Sequence, residues 1–278
     1  MEFNEYLERQ GFSVSTCRNY SQRSAEYQSW LDSWEITAEE VQYEDLLSFL
    51  ETLEKKGLSN RSRQSYMAVI RHYYRYLIAE KLADSNPALG LHVKSRRLLP
   101  NGLLEAKELN ELYESYSGDL MNRAILGLIV YQAIRVQELA VLTLNSLQLR
   151  KAVISIPACG RHKARSLKLE ASQVLDLQEL VYQRQNESQQ YLLVGQRKNS
   201  RNITLRLHKL YKELRSLNPK VRNGDQLRQS RIAYWLKHHN LRQVQVWSGH
   251  RYVSSTERYQ QTNTEELEAQ LKIYHPRS

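Results

Sequence analysis

Apolar positions recur at helical spacing from the first residues of the chain. Phe3, Tyr6 and Leu7 share one face before Gly11 stops the run. Ser13-Val14-Ser15-Thr16 offers N-caps for a second helix, which places Tyr20, Tyr27, Trp30 and Leu31 mostly on one side. A third run starts near Asp45, carries Leu46, Phe49, Leu50 and Leu53, and ends at Gly57. Ser59 caps a fourth, with Tyr66, Val69, Ile70, Tyr73, Tyr74 and Leu77, and Asn86-Pro87 closes the unit. Four helices with short joints predict a small bundle over residues 1–90, most of whose tyrosines serve its core or edge.

The pattern then breaks. Residues 91–102 hold Lys94, Ser95, Arg96 and Arg97 before Pro100-Asn101-Gly102, a basic connector followed by a turn. Helical spacing resumes from residue 103. Leu104 to Tyr113 makes a helix with acid in its first turn, and Asn122 to Tyr131 is apolar enough to be buried. Between 150 and 170 the period changes to two. Ala152-Val153-Ile154-Ser155-Ile156 and Ser166-Leu167-Lys168-Leu169 read as strands, joined by the cation-rich turn Ala158 to Arg165. Helices are predicted again over 172–187, Thr204 to Leu217, Arg231 to His239 and Leu241 to Trp247. Ser254-Ser255-Thr256 starts a helix bearing Tyr259, and Thr264 starts a tail helix with Leu271, Ile273 and Tyr274. The chain from 103 to 278 is therefore α+β, and the whole is mainly α with one small β-hairpin.

Composition sharpens this picture. The 278 residues leave room for two domains, and only 10 Gly and 5 Pro fit a helix-rich fold. A formal charge of +10 makes a polyanion the expected partner. The cations are also patterned. Arg18, Asn19 and Arg23, then Asn60, Arg61, Arg63, Gln64, Arg71, His72 and Arg75, form basic, amide-rich helical faces poor in acid. Such faces suit a run of phosphates, with Lys94, Arg96, Arg97 and Arg161 extending the basic surface. Two cysteines, Cys17 and Cys159, imply no disulfide framework or zinc site, as expected in a reducing cytoplasm. No apolar run reaches membrane-spanning length and residues 1–20 lack a signal-peptide core, so no membrane association is expected.

Three groups suited to phosphate chemistry follow one another near the end. Arg228 is a permanent cation whose planar fork fits two phosphate oxygens. His250 donates a hydrogen bond or exchanges a proton near neutral pH. Tyr259, nine residues later, carries a phenol able to attack phosphorus. A fourth lies upstream. Arg135 directly follows the apolar 122–131 segment, so its charge must be paired or face a ligand. Glu138 is the expected partner, as an orienting group for a phosphate clamp or as half of a structural salt bridge.

Four stretches together resemble the tyrosine recombinases, the phage integrase family. They are Tyr131 to Leu142 with Arg135-Val136-Gln137-Glu138-Leu139, Leu227-Arg228, Gly249-His250, and Tyr259. The N-terminal bundle resembles that family's core-binding, SAM-like domain, down to Gly57-Leu58-Ser59 and Asn86-Pro87. The resemblance implies site-specific cleavage and rejoining of double-stranded DNA through a 3′-phosphotyrosine on Tyr259, without metal or other cofactor. It implies a homotetramer on paired sites, an accessory DNA-bending protein in some systems, and a tail helix that packs on its own domain or on a neighbouring protomer. Two positions depart from the family pattern. The hairpin lysine that serves the leaving oxygen is replaced near its usual place by Cys159, which passes the role to Lys163 or Arg161. The histidine three residues before the second arginine is Asp225, an accessory base or a group turned away from the site. Two alternatives follow: a DNA-binding relative without catalysis, acting as an architectural or regulatory protein, and a topoisomerase of the same tyrosine chemistry.

Overall fold

The computed structural model describes residues 2–94, 100–160, 162–184, 191–193 and 200–259, with backbone alone for 200–202. They divide into two compact units, Met1–Arg97 and Leu98–Ser278.

The first unit is helical: α1 (Phe3–Arg9), α2 (Val14–Ser33), α3 (Tyr43–Lys55) and α4 (Asn60–Ala79). Ser13 and Ser59 cap α2 and α4, each hydroxyl accepting a backbone N–H three residues on at 3.3 Å. Tyr27, Phe49, Met67, Ile70 and Tyr74 fill the core. The two core tyrosines meet through their hydroxyls at 3.0 Å, and Tyr74 donates to the Ala38 carbonyl, so no phenol is stranded.

The second unit begins with α5 (Ala106–Ser115) and α6 (Leu120–Gln132). Ile125, Leu126, Leu128, Ile129 and Val130 are buried around the whole circumference of α6, which makes it the central helix. It ends at Ala133, whose left-handed φ of +49° turns the chain sharply into the short α7 (Val136–Leu139). Three antiparallel strands follow in the order β1 (Leu147–Gln148), β2 (Val153–Ile156), β3 (Arg165–Lys168). The pairing sets Ile154 opposite Leu167 and Ile156 opposite Arg165 on the core face. The remaining elements are α8 (Ala171–Arg184), α9 (Ser200–Leu217), α10 (Gly224–His238), α11 (Leu241–Trp247) and a final helical stretch, α12, at 254–259.

Two features differ from the sequence reading. Strand β1 joins the expected hairpin. Helix α10 starts at Gly224, not Arg231, because Asn223 caps it by accepting the Gln226 N–H at 2.9 Å. Most of its length is buried, including Arg228, Ser230 and Arg231, so it shows no apolar stripe to read. The tail helix expected from Thr264 lies outside the described residues.

Helices α6 and α8 are locked by a reciprocal amide pair. Gln132 and Gln173 exchange hydrogen bonds at 2.9 and 2.8 Å, and Gln132 also donates to the Lys168 carbonyl at 2.8 Å. Gln173→Met keeps the volume but strands the Gln132 amide oxygen in the core. Urea unfolding of the variant is expected to show a loss of about 1–3 kcal/mol, the cost of an unsatisfied buried group; a loss below ~0.5 kcal/mol contradicts the assignment.

Candidate active site

The turn after α6, the start of α7, strand β3, helix α10 and the 248–259 segment bring their polar side chains together in the second unit. Glu138 is fully buried and occupies the N3 position of α7. One of its oxygens caps the helix by accepting the Arg135 N–H at 2.9 Å. Its ion-pair partner is Arg165, which reaches both carboxylate oxygens at 2.6 and 2.9 Å. The expected Arg135–Glu138 pair is therefore a backbone cap, and the salt bridge is made by Arg165 of β3. Burial raises the Glu138 carboxyl, but the hydrogen bonds and charge of Arg165 outweigh it and hold the group below the usual carboxylate range.

That arrangement leaves the Arg135 guanidinium outside any ion pair among the described residues, with its buried Nε unpartnered. Arg228 is buried to 2% exposure. It donates to the Ala133 carbonyl through Nη1 and to the Ser248 carbonyl through Nη2 at 2.7 Å. The left-handed turn at Ala133 and the turn before Gly249 thus supply the two acceptors that fix this side chain. Burial, then the charge of Arg135, pull the Arg228 pKa down to about 9. Two guanidiniums so close repel each other, and an anion between them relieves the repulsion.

Gly249 adopts φ +68°, and a Cβ there would lie 2.5 Å from Arg165 Nη1. Only glycine permits both the turn and that approach. The turn delivers His250, 5% exposed, whose Nε2 faces Arg228 Nη2 at 3.4 Å. Its Nδ1 lies 2.9 Å from Thr256 Oγ1 and 3.2 Å from Ser248 Oγ. Burial, Arg228 and Arg135 pull the imidazole down to about 3, so it is neutral at pH 7 and acts as a hydrogen-bonding group. Tyr259, 4% exposed, sits on α12 with its ring parallel to His250, centroids 6.4 Å apart and planes 10° apart. Burial raises its phenol pKa, while Arg258, Arg228 and Arg135 draw it back. The four residues singled out from the sequence, Arg135, Arg228, His250 and Tyr259, thus converge.

The other candidates are placed differently. Asp225 is exposed in the first turn of α10. Lys163 has an exposed side chain, while its N–H donates to the Gly249 carbonyl at 3.2 Å. Cys159 is partly buried, and Arg161 lies outside the described residues. In the first unit Arg18, Arg61, Arg75 and Lys94 are exposed. Arg23 lies over the Tyr66 ring at 5.2 Å. Arg63 pairs with Glu54 at 2.7 Å, and Arg71 donates to the Ala88 and Leu91 carbonyls at 2.9 and 2.5 Å, so both have work inside the bundle. Arg96 and Arg97 lie outside the described residues.

The sequence reading passed over two members of the cluster, Arg165 and His162. Arg165 shares the inward parity of β3 with Leu167, and an arginine at a core-facing strand position was the available signal. His162 is partly buried, with Nδ1 3.3 Å from the Gly249 carbonyl.

A family model described as "Phage integrase family" matches residues 103–266, well over half the chain. The chain belongs to the phage integrase family. A second model of that family, its N-terminal SAM-like domain, matches residues 1–81. As a phage integrase family member the chain is a tyrosine recombinase, an enzyme class that cleaves and rejoins DNA strands. It is 28% identical to the tyrosine recombinase XerC of Bacillus subtilis, over 99% of this chain and 95% of that relative. It is 27% identical to the tyrosine recombinase XerD of Proteus mirabilis, over 96% and 89%. A XerH site-specific recombinase bound to palindromic difH substrate shares the fold, with TM-score 0.77, 18% identity and coverage of 95% and 81%. So does a lambda integrase fragment bound as a dimer to a COC′ core site, with TM-score 0.71, 14% identity and 92% coverage of each chain.

The Glu138 assignment sets a pH signature. A carboxyl with a depressed folded-state pKa contributes stability that is present above its unfolded value, about 4.3, and is lost as pH falls through the folded value. Glu138→Gln breaks the buried pair and is expected to cost roughly 3–5 kcal/mol at pH 7. The gap from wild type should narrow below about pH 4 in denaturant titrations. A gap that stays constant down to pH 3 assigns the loss to packing.

Proposed function

We propose that this recombinase acts at specific sites in double-stranded DNA, with Tyr259 as the nucleophile and a 3′-phosphotyrosine as the intermediate. The observation that carries this reading is the convergence of Arg135 and Arg228, neither in an ion pair among the described residues, beside His250 and Tyr259. A scissile phosphate bound there meets two guanidiniums, that of Arg228 fixed by backbone carbonyls, which stabilise the charge that grows on its oxygens during attack. The Tyr259 oxygen bonds to phosphorus as the bond to the 5′ oxygen breaks. The covalent link keeps the phosphodiester's energy, so a 5′ hydroxyl from another strand reverses the step.

His250 contributes a donor of defined direction. In this reading the reactive tautomer carries its proton on Nε2: the Thr256 hydroxyl, 2.9 Å away, donates to Nδ1 while the Ser248 hydroxyl donates to the Val244 carbonyl. Nε2–H and Arg228 Nη2 then address the same phosphate oxygen. Thr256 and Tyr259 share α12, so docking of the nucleophile's helix and orientation of the histidine occur together.

The exposed cations of the bundle, Arg18, Arg61 and Arg75, with Lys94, suit contacts along the DNA backbone. By likeness to a lambda integrase solved as a tetramer on a Holliday junction, the proposed working form is a homotetramer on paired sites. Among the described residues no helix is long and apolar enough to cross a membrane.

A nicked duplex from which the cut strand's short 3′ fragment diffuses away traps the intermediate. Wild-type protein is expected to form a covalent adduct that Tyr259→Phe abolishes. Arg228→Ala should keep DNA binding within a few-fold and lose at least ~10²-fold in cleavage, the scale for one electrostatic donor. An adduct that persists in Tyr259→Phe places the nucleophile elsewhere. A wild-type protein that binds the duplex but never forms an adduct supports the non-catalytic reading. Thr256→Val should slow adduct formation roughly tenfold, the worth of about one hydrogen bond, without changing DNA affinity; an unchanged rate removes Thr256 from the mechanism.

A further inference from the structure

The scheme above still lacks the group that delivers a proton to the departing 5′ oxygen. The turn between β2 and β3 supplies the candidates, and two of its described residues differ in placement. Lys163 carries an exposed side chain. His162 is partly buried, and the turn holds it in place. Cys159 and His162 exchange backbone hydrogen bonds at 3.2 and 3.0 Å, which close the turn. The Gly249 carbonyl accepts the Lys163 N–H at 3.2 Å and lies 3.3 Å from His162 Nδ1. The residue after Gly249 is His250, so the turn is stitched to the segment that carries the phosphate-binding imidazole.

From this geometry we infer that His162 is the proton donor to the 5′ oxygen in cleavage, and the proton acceptor from the attacking 5′ hydroxyl in rejoining. The inference rests on the recombinase reading. With Nδ1–H donating to the Gly249 carbonyl, Nε2 is the ring nitrogen left to face substrate. As the Tyr259 oxygen–phosphorus bond forms and the phosphorus–O5′ bond breaks, the Nε2 proton passes to O5′ and leaves a neutral imidazole. The Tyr259 proton passes to water. Rejoining runs the same transfers backwards.

The surroundings of His162 make its protonation depend on DNA. It faces Arg135 and Glu138 at the start of α7, Arg228 of α10, the Gly249 carbonyl and His250. Burial, then Arg135, hold its pKa below the usual imidazole value in the free protein, against the opposing pull of Glu138 and the carbonyl. A phosphodiester seated between Arg135 and Arg228 cancels their repulsion and favours the imidazolium at the moment it is needed.

The test uses the full chain on nicked duplexes built from the sequence the protein itself selects out of a random pool. One set carries an ordinary 5′ bridging oxygen and the other a 5′ bridging sulfur, which departs without a proton. His162→Ala is expected to slow adduct formation on the oxygen substrate roughly 10²–10⁴-fold, the usual worth of a general acid. On the sulfur substrate it should stay within a few-fold of wild type. Lys163→Ala should cost little on either. Wild-type cleavage of the oxygen substrate should fall as pH rises between about 6 and 9, whereas a lysine donor would hold the rate level to about pH 10. His162→Gln keeps a donor for the Gly249 carbonyl and should behave like the alanine variant, which separates proton transfer from folding. An unimpaired His162→Ala, a failure of sulfur to restore it, or a level wild-type pH profile overturns the inference and leaves the recombinase reading intact. A wild-type protein that makes no adduct on either substrate overturns both.

Discussion

The ion pair between Glu138 and Arg165 is the contact on which the site depends. Both side chains are essentially excluded from water, at 0% and 1% exposure. A buried pair of this kind is weak evidence of stability, since dehydrating two charges costs about what their attraction returns. Its consequence is positional. One carboxylate caps α7, anchors β3 and thereby fixes the hairpin against the turn that follows α6. It also satisfies Arg165, so that cation is paired within the protein. Arg135, whose backbone rather than side chain uses Glu138, keeps its guanidinium for an external anion.

Backbone carbonyls do the rest of the positioning. Arg228 is held by Ala133 and Ser248, and the hairpin by Gly249. Such acceptors orient a guanidinium without neutralising it, which a carboxylate at the same place would do. They are available because the chain turns at Ala133 and Gly249 through left-handed conformations that break regular structure beside the site. Alanine at φ +49° is an unusual choice, since its Cβ crowds the following carbonyl at a cost of about 1–2 kcal/mol. The Ala133 carbonyl is the one that binds Arg228, so the strained residue and the fixed cation belong to a single arrangement.

Much of this could be read from the chain before any coordinates. The helices of the bundle followed from apolar spacing and their serine caps, because Ser13 and Ser59 act locally. Arg135, Arg228, His250 and Tyr259 stood out because unusual residue types occurred in order beside apolar runs. What was not legible was pairing across sequence distance. Glu138 sits three residues from Arg135, so local reasoning joined those two, while its partner lies 27 residues away on a strand. The N-terminal half of α10 was missed for a related reason. Its buried positions hold Gln226, Arg228, Ser230 and Arg231, which donate to the Gly102, Ala133, Gln226 and Val130 carbonyls respectively. Periodicity identifies helices that bury apolar stripes, and this one buries its hydrogen-bonding groups instead. His162 was passed over because a histidine in a cationic turn carries no local mark of what the turn is folded against.

The same charges suit the site to an anion. Arg228 is dehydrated and feels the charge of Arg135, and the pKa values of the His250 and His162 imidazoles are held down by burial first and by these cations second. A bound phosphodiester offsets the part of each displacement that comes from the cations, not the larger part that comes from burial. Relief of the repulsion between the cations is larger for a transition state, whose oxygens carry more charge than the ground state, and this is the condition for catalysis as opposed to tight binding. A surface built only to hold DNA has no need to bury its guanidiniums, because exposed arginines bind phosphates without the dehydration cost. The depth of Arg228 in the core thus supports the proposed chemistry independently of the proposed nucleophile, Tyr259.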